Sequence, residues 1–270
     1  MKYAVYSCFV ILAALLLGIG IVLLVRFAFR KKLRFYWNAL IVVGTTLTLS
    51  AATFFIYLLP YSHAEASVEP YLVSDAKVEV AKVGHAYSFD GPGKDSALIL
   101  YPGAKVDTKA YAPLCRQIAE GGTDVFLLDM PFHFALLGKD RAGEITASFT
   151  YPRFYIGGHS LGGNVAASYL MEHPSDFAGL VLLASYPTAQ ISSGLPLLSI
   201  YGDKDGVLER DPYEKGKSYW NEGSQELVIE GGNHANFARY GKQQGDNDAT
   251  ISNLEQEKRT AEAILSFTTK

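Results

Sequence analysis

The chain has 270 residues, 49% of them hydrophobic, with ordinary glycine and proline usage, which excludes a disordered or low-complexity protein and leaves room for one domain of about 200 residues plus a further segment. The formal charge of −3 is unevenly spread: the first 64 residues hold six basic side chains and no acidic one, so the remainder holds 18 basic against 27 acidic. A domain that acidic excludes nucleic acid as its natural partner, and two cysteines in different halves, Cys8 and Cys115, exclude a disulfide framework.

Residues 3–25 form an uncharged run of mainly Leu, Ile, Val and Ala. At 1.5 Å rise per residue, a helix of that length crosses a bilayer core of about 30 Å. A second uncharged run, 35–59, stops at Pro60. Between them, residues 26–34 carry Arg26, Arg30, Lys31, Lys32 and Arg34. Short basic loops stay on the cytoplasmic side. The sequence therefore predicts a membrane anchor over residues 1–61, a two-helix hairpin in the lipid bilayer of the cell membrane, with the following domain outside the cytoplasm. Ala14-x-x-x-Gly18 and Gly44-x-x-x-Thr48 suit close helix packing. A cleaved signal peptide fits less well, because the second run would remain as an anchor.

Residues 62–76 are polar and mixed, include Pro70, and read as a linker into a domain over 77–270. Residues 78–89 alternate around Gly84, the pattern of an antiparallel hairpin. Beyond Gly91-Pro92-Gly93 the pattern changes to short continuous apolar runs at 97–101, 125–128, 154–156, 179–183, 197–201 and 227–229. Strands buried on both faces look like this. Helical stretches separate most of them, at 111–120, 138–147, 162–173 and 212–220, and a last helix is expected over 250–267. The class is α/β, a mostly parallel sheet flanked by helices.

One stretch carries chemistry, Tyr155-Ile-Gly-Gly-His-Ser-Leu-Gly-Gly-Asn164. A strand breaks into glycines, presents Ser160 and gives way to a helix, which is the G-x-S-x-G arrangement on a strand–turn–helix. The tight turn lifts the hydroxyl clear of the fold, and the helix start aims free N–H groups at it. The pattern alone recurs by chance; its readable strand and helix distinguish it from a plain glycine turn. In an open parallel sheet, functional groups gather at the carboxyl ends of the strands. Gly202-Asp203-Lys204-Asp205 follows one apolar run and Gly231-Gly-Asn-His234 follows the next. The order serine, aspartate, histidine suits a nucleophile, an orienting acid and the base His234, with Asp203 and Asp205 both available as the acid.

Tyr101-Pro-Gly-Ala104, the Ser160 motif and the two loops just quoted resemble the α/β-hydrolase superfamily over residues 97–267, nearest its small, lidless, dienelactone-hydrolase-like members. The resemblance implies an α/β-hydrolase fold and a serine hydrolase with Ser160, Asp205 and His234 as catalytic triad, Asp203 being the alternative acid. It also implies an oxyanion hole made of the backbone N–H groups of Leu161 and Ala104. Phe132 and His133, after a strand, are candidate pocket-lining residues. Residues 184–196 are too short to hold a lid domain, so the pocket is expected to be open. The histidines show no metal-ligand spacing and the glycine pairs no dinucleotide fingerprint, so neither metal nor cofactor is expected. The expected activity is cleavage of an acyl bond in a small or lipid-like substrate, an ester or else a thioester or amide. An acyltransferase would use the same triad, and a non-catalytic binding protein is the alternative from another class.

Overall fold

The computed structural model describes the backbone of residues 2–29, 35–192 and 194–269; side chains are described from residue 12, apart from residues 26, 28, 29 and 35. The chain divides into two compact units, Met1–Pro60 and Tyr61–Lys270.

The first unit contains helices α1 (Lys2–Phe29) and α2 (Phe35–Leu58). Both are apolar around their whole circumference, as helices in an apolar solvent are. Thr46 and Thr53 return their hydroxyls to the carbonyls of Val42 and Leu49, each at 2.8 Å, so neither leaves a bare donor on the helix. The small-residue seam is one-sided. Gly18 fits against the backbone of Val42, where a Cβ would stand 3.2 Å from its Cα, whereas nothing lies within 4 Å of Gly44. Among the described residues one helix, Tyr36–Leu58, is long and apolar enough to cross a membrane; the apolar part described in α1, Leu12–Val25, is shorter. One candidate span thus stands where two were expected. Residues 30–34 of the basic loop lie outside the described residues.

The second unit is an eight-stranded sheet. Its strands are β1 (Glu79–Val83), β2 (Ala86–Asp90), β3 (Ser96–Tyr101), β4 (Asp124–Leu128), β5 (Arg153–His159), β6 (Gly179–Leu183), β7 (Leu197–Gly202) and β8 (Gln225–Ile229). They lie in the order β1-β2-β4-β3-β5-β6-β7-β8. β1 and β2 form the expected hairpin around Gly84 at φ 54°, and β2 joins β4 antiparallel; every other pairing is parallel. Helices α3 (Ala112–Glu120), α4 (Arg141–Ser148), α5 (Leu161–Glu172), α6 (Arg210–Gly216) and α7 (Asn253–Thr268) complete it.

Alternate side chains of the buried strands feed two cores. Leu98 and Leu100 pack with Leu114 and Ile118 of α3 and Ile264 and Phe267 of α7. Ala97, Ile99 and Tyr101 pack with Ala142 of α4 and Val165 and Leu170 of α5. This two-sided burial is why the central strands read as continuous apolar runs rather than alternating ones. At the start of α7, Ser252 accepts the Glu255 N–H at 3.2 Å and so caps the helix. Leu254 on the same helix is exposed.

Residues 62–76 do not hang free as a linker. Ser62 donates its N–H to Lys105 and accepts from Asp107, Glu65 donates to the Arg239 carbonyl, and Val68 is fully buried. Arg116 donates to the Val73 carbonyl at 2.8 Å and pairs with Asp75 at 2.6 Å. These partners are distant in sequence, so local composition carried no sign of them.

Candidate active site

Ser160 sits between β5 and α5 at φ 53°, ψ −125°, a left-handed conformation that a non-glycine residue holds only when its surroundings impose it. Two observations account for it. The Ser160 N–H donates to the Leu183 carbonyl of β6 at 2.9 Å, tying the turn to the sheet. The flanking glycines meet backbone directly: a Cβ on Gly158 would lie 2.4 Å from Gly162, and one on Gly162 would lie 2.3 Å from the Pro102 carbonyl oxygen. The turn is as tight as it is because these two positions lack side chains. Ser160 and Leu161 remain partly exposed, while His159, Gly162 and Gly163 are buried.

The structure brings Asp205 and His234 together. Asp205 Oδ2 lies 2.9 Å from His234 Nδ1, and the two side chains are 0% and 1% exposed. The other carboxylate oxygen, Oδ1, accepts the N–H groups of Val207 and Leu208 at 2.8 and 2.7 Å. With both oxygens engaged the carboxylate is held as an acceptor, so Nδ1 of a neutral imidazole donates to it and Nε2 keeps its lone pair. His234 Nε2 is buried and has no hydrogen-bond partner, as a base awaiting a substrate-side proton would be. Asp203 is occupied elsewhere. It accepts the Gly231 N–H at 2.6 Å, and that bond, with Lys204 at 3.1 Å, holds its carboxyl below the usual carboxylate range.

Two residues that sequence reasoning passed over fasten the loops carrying this pair. Asp246 accepts the Gly206 N–H at 3.0 Å and the Ala235 N–H at 2.9 Å, each next to one member of the pair. Buried Gln256 on α7 accepts the Asn233 N–H at 3.0 Å and donates to the Asn233 carbonyl at 2.8 Å. Asp246 belongs to a polar turn and Gln256 to a helix, and nothing in their local sequence marks them.

The loop after β3 approaches from the other side. The Gly103 N–H donates to the Tyr111 hydroxyl at 2.9 Å, which also contacts His159 Nδ1 at 2.7 Å. Since the phenol oxygen already accepts from Gly103, its hydrogen is free for Nδ1, which puts the proton of a neutral His159 on Nε2. Burial pushes the Tyr111 phenol up and keeps it a donor. Burial also pushes His159 well below the ordinary histidine value, with the neighbouring His234 ring, 4.6 Å away between centroids, acting in the same direction. Gly103 being committed to Tyr111, the next N–H, that of Ala104, bonds no backbone group among the described residues, and neither does that of Leu161 at the start of α5. Phe132 and His133 lie in the turn after β4, both at positive φ. His133 donates no side-chain bond through its buried Nδ1; its ring stacks on Tyr61 at 3.8 Å and its carbonyl accepts the Lys105 N–H at 2.6 Å. Among the described residues no cluster of His, Cys, Asp or Glu could hold a metal ion.

A strained serine and an aspartate-held imidazole thus stand on loops at one end of the sheet, groups that nucleophile and base chemistry can use. A model of the Alpha/beta hydrolase family matches residues 97–258. No curated protein matches the chain. Among solved structures, the fold is similar to dienelactone hydrolase from Anabaena variabilis, with a TM-score of 0.54 and 12% identity over 71% of this chain and 99% of that one. It is also similar to a predicted CIB-like hydrolase from Thermoplasma acidophilum, with a TM-score of 0.52 and 15% identity over 71% and 96% of the two chains. A soluble variant of monoglyceride lipase from Saccharomyces cerevisiae gives a TM-score of 0.52 and 10% identity over 74% and 97%.

Proposed function

Because this chain belongs to the Alpha/beta hydrolase family and is an enzyme of hydrolase type, we propose that it is a membrane-anchored serine hydrolase cleaving a carboxylic ester through an acyl-enzyme. The observation that carries this reading is the 2.9 Å contact of His234 with a fully buried Asp205, on loops at the same end of the sheet as the strained Ser160.

The steps follow from the geometry. Ser160 Oγ attacks the acyl carbon as His234 Nε2 takes its proton, and Asp205 stabilises the imidazolium through Nδ1. The tetrahedral oxyanion accepts from the Leu161 and Ala104 N–H groups, the former strengthened by the positive end of α5. His234 returns the proton to the departing alcohol. A water then repeats the sequence, regenerating Ser160 and releasing the acid.

The anchor is α2, joined by α1, and the basic side chains of residues 26–34 hold their loop on the cytoplasmic face, which places the hydrolase unit outside. The test of the chemistry is fluorophosphonate labelling with a panel of acyl esters. Ser160→Ala should abolish labelling and lower kcat by on the order of 10⁶ while the thermal transition stays in place. Undiminished turnover in that variant overturns the assignment.

A further inference from the structure

The turn after β4 does two things at once. It leaves Phe132, Leu136 and Leu137 at 49%, 56% and 42% exposure, three large apolar side chains within six residues. It is also fastened to the first residues of its unit. Tyr61 stacks on His133, the His133 carbonyl accepts from Lys105, and Lys105 in turn accepts the Ser62 N–H at 2.8 Å. Lys105 adjoins Ala104, whose N–H faces the reacting oxygen in the mechanism above.

Tyr61 follows Leu58, the last residue of α2, by only three positions. Three residues of fully extended chain reach no more than about 10 Å. With α2 across the bilayer, chain length alone keeps the Tyr61–His133 stack, and the turn built on it, close to the lipid interface. Exposed apolar clusters of this kind mark interaction sites. The surface available to this one, by tether, is the one in which α2 ends.

We propose that the turn 132–137 is a membrane-docking surface. Phe132, Leu136 and Leu137 enter the headgroup region and the first methylenes of the leaflet, and the ester that reaches Ser160 is drawn from that surface rather than from bulk water. Amphipathic surface elements bind lipid this way, in proportion to the apolar area they submerge. The proposal rests on the reading of α2 as a membrane span and of the unit as an ester hydrolase.

The test uses the full chain in vesicles of phosphatidylcholine and phosphatidylglycerol, with Cys8→Ser to remove a competing thiol; Cys115 is fully buried. A polarity-sensitive fluorophore is placed in turn at Leu136→Cys, at Leu47→Cys within α2, and at Lys77→Cys beside the amino ends of the strands. Leu137→Cys replaces Leu136→Cys should the latter fail to fold. Lipids spin-labelled high on the acyl chain are expected to quench the Leu136 and Leu47 probes at least about twofold and to spare Lys77. Quenching at Leu47 with Leu136 no more quenched than Lys77 leaves the anchor standing and overturns the docking surface. A blue shift at Leu136 without quenching points to a protein partner or a second copy and also overturns it. Absence of quenching at Leu47 removes the span, and the proposal with it.

Discussion

Asp205 spends one oxygen on two backbone N–H groups and the other on His234, whereas Asp203 spends its carboxylate on Gly231 and Lys204. Only Asp205 can hold the imidazole in one tautomer. Asp205→Asn is therefore expected to lower kcat by roughly 10³–10⁴ with KM little changed, and Asp203→Asn to leave kcat within about tenfold. Steady-state kinetics on one soluble ester decides between them, and a larger loss at Asp203 would reverse the roles. His159 gives a second outcome at this scale. Burial holds its folded pKa well below the ordinary histidine value of 6.5, so below that pH the unfolded chain binds a proton that the native state refuses. Its contribution to stability therefore falls as pH drops through 6.5, by at most about 1.4 kcal/mol per pH unit. Urea denaturation at pH 7.5 and 5.5 should show a larger acid loss for the native protein than for His159→Asn, which still offers Tyr111 an acceptor. Equal losses would mean that His159 is not held neutral.

At the scale of the element, the strand–turn–helix around Ser160 depends on backbone meeting backbone. Gly162 at the start of α5 touches the Tyr101 and Pro102 carbonyls, so its replacement pushes on the loop that presents Ala104. Gly162→Ala is expected to lower kcat by at least about 100-fold, since displacements of about 1 Å at a reacting centre cost that much. Near-normal kcat in a folded Gly162→Ala protein would show that the two loops move independently. The elbow was legible from sequence because glycine spacing, a buried strand and a helix all lie within some 20 residues. The hairpin β1–β2 was legible for the same reason. The antiparallel joining of β2 to β4 was not, because pairing partners leave no trace in local pattern.

At the scale of the whole molecule, the proposed orientation, with the hydrolase unit outside the cytoplasm, rests on the charge division along the chain. Five basic residues in positions 26–34, and no acid in the first 64, make translocation of that loop costly, on the order of a few kcal/mol per charge. Protease added to sealed right-side-out vesicles is expected to digest the hydrolase unit, with the unit protected in inverted vesicles. The opposite pattern would place it in the cytoplasm and redirect the search for a substrate to cytosolic esters. Residues 62–76 belong to that unit: Ser62 and Glu65 hydrogen-bond into it and Val68 is buried within it.

The sequence by itself determined the class of the fold, the identity of Ser160 and His234 as the candidate pair of nucleophile and base, and the apolar character of the first unit. Each is written in short-range pattern: buried runs, glycine spacing, the order of loops after strands. Tertiary structure alone decided what lies beside what. It put Asp205 against His234 and Asp203 against Gly231 and Lys204, gave Asp246, Gln256 and Tyr111 their places around the site, turned an apparent linker into part of the domain, and put Tyr61 on His133. The reason is common to all of these. A hydrogen bond or a ring contact between residues 29, 48 or 72 positions apart is decided by where the sheet brings the chain back, and the local sequence at either end is the same whether or not that meeting occurs.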